Sequence, residues 1–188
     1  MAAQPAERPV LVPSQKNRSA RELLLNFESL GSDCEFGLLQ RRYEAEPLGL
    51  LRWATTFPAT LAKLLASRFE GLGELNHLKL SVTPWKECFV NDTKYGLGFH
   101  TFIGEHEIDA STLLHKQSSR IKWLRDKLVE ELTDGSKIFV HKLNAPVPDA
   151  LISEIHTAMR RYGRNTLLVV RVDRDANQYG TAGVGKRG

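Results

Sequence analysis

The chain predicts an α+β or α/β domain, a mixed β-sheet with packed helices, and three patterns carry that reading. The middle segments HLKLSV, ECFVND and YGLGFHTFI alternate apolar and polar residues between turn residues, as an antiparallel meander does. From Asp109 to Leu132, residues Leu113, Leu114, Ile121, Leu124, Leu128 and Leu132 recur on one helical face. Near the end, KIFVH, PDALISEIHTAMRRYG and TLLVVRV read as strand, helix and strand. A helical connection of that length favours a parallel, right-handed βαβ unit. A chain of 188 residues is long enough for one real core.

Taken in order, residues 1–18 hold three of the eight prolines among small and polar residues and read as a disordered lead-in. The single domain is expected over residues 19–175. LLLNFESL, running into Gly31, reads as a short strand ending in a turn. Ser32-Asp33-Cys34-Glu35 has the spacing of a capping box, with Ser32 as N-cap and Glu35 reaching back. The helix that follows runs to Pro47. PATLAKLLASRF, residues 58–69, reads as a helix with Pro58 at its first position. Thr133-Asp134-Gly135 closes the long helix, and Gly163 stops the one after it. Residues 176–188 are glycine-rich without a packing pattern. They read as a flexible tail, where a truncation would fall.

Charge is unevenly divided. Residues 1–21 carry a net +3, residues 160–188 a net +5, and the stretch between them a net −4. A specific nucleic-acid domain needs its basic face on the folded body, so that class is disfavoured. The two cysteines, Cys34 and Cys88, are too few for a disulfide framework. The first residues lack the apolar stretch of a secretory signal, and no apolar run approaches membrane-spanning length. A reduced, cytoplasmic protein is the expectation.

Cys34 is the most chemically loaded position. At a helix start, unpaired N–H groups stabilise a thiolate and lower its pKa, while Asp33 and Glu35 oppose ionisation. A strand-turn-helix junction also holds a nucleophile at the edge of the core. The competing reading is a small apolar residue packed at a helix start.

The run FESLGSDCEFGLLQRRYEAEPLGLLRWA, residues 27–54, resembles the opening motif of a bacterial domain-of-unknown-function family described as papain-like cysteine peptidases. The likeness rests on Leu30-Gly31-Ser32-Asp33-Cys34, the helix after it, and His100 following Tyr95-Gly96. It extends over roughly residues 25–173 through the later order of elements. It implies a papain-like cysteine-hydrolase type of fold, with Cys34 as nucleophile and His100 as general base. The substrate would be an unknown peptide, protein or glycan-linked molecule. A base of this kind needs a third group to orient it. Asp92, Asp109, Asn144 and Asp173 are the candidates. Asp173 ends a strand, and Asp92 lies eight residues before His100 with the same strand parity. His141 at a strand end is a weaker competitor for the base; His106, His115 and His156 read as surface or packing residues.

Other chemistries find little footing. The cluster Glu105, His106, Glu107 and Asp109 has no zinc or calcium spacing, so no metal and no cofactor are expected. The segment after Gly180 lacks the spacer and following helix of a phosphate loop, and GxSxG is absent. The alternative to an enzyme is an inactive fold that binds a protein or glycan. Oligomeric state is open.

Overall fold

The computed structural model describes residues 19–171. The expected lead-in and tail, and Asp173 with them, lie outside the described residues. The described chain is α+β, with five α-helices and seven strands.

Helix α1 (Ala20–Leu24) starts from a capping box that the sequence reading passed over: Ser19 accepts from the Glu22 amide, and Glu22 reaches back to the Ser19 N–H. Asn26 donates to the Glu22 and Leu23 carbonyls and ends that helix. Only then does strand β1 (Phe27–Ser29) begin. The segment expected to be all strand therefore opens with the last helical residues, Leu23 and Leu24, because the cap lies just upstream of its apolar residues.

Next come α2 (Glu35–Arg42), β2 (Ala54–Thr55) and α3 (Pro58–Ala66), the last with proline in its first turn. Strands β3 (Leu78–Val82), β4 (Glu87–Asp92) and β5 (Leu97–Gly104) form the predicted meander. Helix α4 (Ala110–Asp134) is capped by the Asp109 side chain, which accepts from the Thr112 amide. Gly135 ends it at φ +68°, the left-handed geometry a C-terminal glycine supplies. Strand β6 (Ile138–Leu143), helix α5 (Asp149–Arg160) and strand β7 (Thr166–Arg171) complete the order.

One mixed sheet was expected, but two sheets form, each of one kind. Strands β1, β6 and β7 make an all-parallel sheet with β6 in the middle; β2, β5, β4 and β3 make an all-antiparallel one. The β6–α5–β7 unit is parallel as predicted, in register from Ile138↔Thr166 to Leu143↔Arg171. The two sheets share no strand: β2 pairs only with β5, at Phe99 and Gly98, and β1 only with β6. What joins the sheets is the core: Leu30, Leu97, Phe139, Ile121, Leu132 and Met159 belong to one buried cluster. A large apolar side chain there contributes roughly 1.5–3 kcal/mol by burial. Among the described residues no helix is long and apolar enough to cross a membrane.

Candidate active site

The site sits where the two sheets meet. On the parallel side, the turn after β1 carries Gly31 at φ +81° and Ser32 at φ +100°. This left-handed arc points the Ser32 hydroxyl at Asn144 (Nδ2–Oγ 3.3 Å), away from the helix amides. The predicted capping box therefore does not form. Cys34 is the N-cap residue, with no side-chain cap bond, and the Asp33 carboxylate accepts from the Glu35 amide at 3.0 Å. Glu35 pairs with Lys142 at the end of β6, and Lys142 also holds Asp33 at 3.0 Å.

Gly31 cannot be replaced freely: a Cβ there would lie 2.5 Å from Thr56 Oγ1 and 3.2 Å from the Ala54 carbonyl. Gly37, one turn beyond Cys34, is equally pressed against the Arg52 carbonyl and the Trp53 ring, each 3.0 Å from an added Cβ. Positions three apart share a helix face, so Cys34 lies on the side that packs against the segment 52–56. That segment in turn touches the antiparallel sheet, where the Trp53 carbonyl accepts from the His100 amide at 3.1 Å.

His100 is half-buried on β5, opposite Phe89 of β4. Its ring meets Phe89 edge-on at 4.9 Å and stacks on Phe102 at 6.0 Å. Its Nδ1 lies 3.1 and 3.2 Å from the two carboxylate oxygens of Glu87. Burial alone would raise the Glu87 carboxyl. The Phe102 amide, Trp85 Nε1 and His100 outweigh it and hold the group below the ordinary range. Phe102 donates that amide from φ +58°, a costly conformation for an aromatic residue.

The imidazole's partner is thus Glu87, which the sequence reading missed, and not Asp92. Asp92 is fully buried, and its oxygens accept from the backbone amides of Gly73, Lys94 and Tyr95. Strand parity does not survive a hairpin turn; register does. Asp92 pairs with Leu97 on the core face, whereas His100 pairs with Phe89 on the other. Asp109 caps α4, and Asn144 bonds Ser32 and Asp33, so neither reaches His100. The legible signal for Glu87 was the hairpin itself: two residues from Phe89 on the same strand puts Glu87 diagonal to His100.

Cys34 is free and half-buried. Burial, then the charges of Asp33 and Glu87, push its thiol up, opposite to the lowered value expected at a helix start. Desolvation and the carboxylates of Asp33 and Glu87 therefore outweigh the helix amides. No hydrogen bond joins its sulfur to His100; the charge that reaches it from that side is that of Glu87. Cys88 is buried, its sulfur 3.7 Å from the Gly104 carbonyl.

Two further buried groups flank the turn from the core face of the parallel sheet. His141 has both ring nitrogens unpartnered, and burial pushes it down to about 4. Glu28 is pushed up to about 8 by burial, then by the neighbouring Glu131. Among the described residues no cluster of three metal-ligating side chains occurs.

No family model, curated protein or solved structure matches the chain.

Proposed function

We propose that the chain is a papain-like cysteine hydrolase, cleaving an amide or peptide bond with Cys34 as nucleophile, His100 as general base and Glu87 as the orienting carboxylate. The observation that carries this reading is the His100–Glu87 pair. A neutral imidazole whose Nδ1–H donates to a carboxylate keeps its Nε2 lone pair for accepting a proton, and an imidazolium formed there is stabilised by the same partner.

Because the thiol is raised, it rests as a neutral S–H. His100 Nε2 removes its proton as the sulfur attacks the substrate carbonyl. The tetrahedral adduct collapses when the imidazolium returns that proton to the leaving amine, leaving a thioester. Water, deprotonated by the same nitrogen, then releases the acid and restores the thiol.

A second reading, an inactive fold that binds a protein or glycan partner, is favoured by the raised thiol and the lack of a direct Cys34–His100 hydrogen bond. Iodoacetamide labelling separates the two. For the enzyme, Cys34 labels much faster than Cys88, His100→Ala slows it at neutral pH, and a quenched peptide library yields cleavage lost in Cys34→Ala. Equal labelling of both cysteines, indifferent to His100→Ala, would falsify the dyad.

A further inference from the structure

Beside the base lies an open groove of about 210 Å³, small against the several hundred Å³ of a drug-sized site but enough for one amino-acid side chain. Its walls come from four elements: Arg41 on α2, Arg52 and Trp53 before β2, Phe102 on β5, and Arg120 with Leu124 one turn apart on α4. Trp53 and Phe102 pack edge to face at 5.1 Å, and Phe102 also stacks on His100. The groove thus shares a wall with the proposed general base.

Three guanidiniums line this groove against one carboxylate, Glu46. Glu46 accepts from Arg41 Nε at 2.9 Å and from Arg52 Nη1 at 2.6 Å. Arg52 is structural: nearly fully buried, it also donates to the carbonyls of Gly37, Ala45 and Pro47. Its Nε nonetheless has no partner, an unsatisfied buried donor in the wall of the groove. The Arg41 guanidinium carbon sits over Trp53, 4.6 Å from the ring centroid, a cation–π contact that restrains the side chain. Arg120 is exposed and has no carboxylate partner among the described residues. Leu48, Leu124, Trp53 and Phe102 supply apolar wall between these charges.

We propose that this groove is a specificity subsite for a carboxylate on a short apolar stem, held between Arg41 and Arg120 with its stem against Trp53 and Phe102. A planar guanidinium restrained over an aromatic ring matches a carboxylate, and a cationic groove with low-dielectric walls concentrates anions. In a peptide such a group is either an acidic side chain or the chain-terminal carboxylate. Its meaning as a substrate subsite rests on the hydrolase reading; its ligand preference does not.

The test uses the Cys34→Ala protein, titrated by NMR with three probes. N-acetylglutamic acid α-amide carries only a side-chain carboxylate, N-acetylleucine only a terminal one, and N-acetylleucinamide none. One or both acids bind about tenfold tighter than the amide, the size of a charge-assisted hydrogen bond. Whichever acid gains identifies the source of the carboxylate. The gain weakens with added salt and disappears in Arg120→Gln and in Arg41→Gln, two exposed positions whose unchanged thermal unfolding shows an intact fold. Equal binding of all three probes, or a gain that survives both substitutions, overturns the proposal. The readings fail separately. Probe binding that persists while wild-type Cys34 labelling ignores His100→Ala removes the hydrolase and leaves the anion site. Labelling that responds while the acids bind no better than the amide removes the subsite alone.

Discussion

The two sheets treat their polar residues in opposite ways. In the antiparallel sheet every buried or half-buried carboxylate has donors: Glu87 has His100, Trp85 and the Phe102 amide, and Asp92 has three backbone amides. In the parallel sheet Glu28 and His141 are buried with ring or carboxylate atoms unpartnered. A satisfied polar group stiffens its surroundings, while an orphaned one costs desolvation free energy and ties stability to pH. The proposed chemistry is split along the same line, with the nucleophile after β1 and its base on β5. The parallel half holds the two groups whose shifts tie stability to pH, and the antiparallel half holds His100 against Glu87.

Glu28 offers the largest test of that contrast. Its folded-state value is about 8, against 4.5 ordinarily, so the native state holds a proton that the unfolded chain has released between those limits. Stability is therefore lost as pH rises from 4.5 through 8. At roughly 1.4 kcal/mol per unit the full loss is on the order of 5 kcal/mol. Glu28→Gln should remove it, and urea unfolding at pH 5 and pH 9 measures the difference. An unchanged slope in the variant would put the pH sensitivity elsewhere.

His141 runs the other way. With its value pushed down to about 4 from 6.5, the native state excludes a proton that the unfolded chain accepts. Stability is fully present above pH 6.5 and falls by about 3 kcal/mol toward pH 4. His141→Leu should flatten the acid limb of the same urea curves. Substituting Asp92 or Glu87 in the antiparallel sheet should leave the Glu28 and His141 limbs in place; if either variant flattens them, the contrast between the sheets is broken.

Gly31→Ala probes the seam between the halves. Its added Cβ meets Thr56 Oγ1 at 2.5 Å, and φ of +81° suits glycine alone. A cost of about 1–3 kcal/mol follows, read as a lowered denaturation midpoint. The Cys34 turn should shift with it, slowing labelling more than the global loss explains.

The smallest effect is electrostatic. Asp33 is one of two carboxylates that raise the Cys34 thiol. Asp33→Asn should lower the pH midpoint of Cys34 alkylation and change overall stability little. A midpoint that stays put or rises would mean that Asp33 does not raise the thiol, leaving burial and Glu87 to set it.

Much of this molecule was legible in its residues. Apolar spacing located the meander and α4, and Pro58, Asp109 and Gly135 mark helix ends through local backbone chemistry that needs no tertiary partner. The β6–α5–β7 unit followed from connection length. Other features depended on groups far apart in the chain. The Ser32 cap failed because the Gly31 turn bends against β2, a packing fact some 25 residues away. Glu87 became the partner of His100 through hairpin register and a bulge between Glu87 and Phe89, which parity along one strand does not encode. The Cys34 shift is set first by burial, then by Asp33 and Glu87; of these only Asp33 is visible at the helix start. Residues and their spacing determined which elements form, because caps and periodicity act within a few residues. The sheet pairing, the His100–Glu87 contact and the raised thiol belong to the tertiary structure, because desolvation and charge act through space.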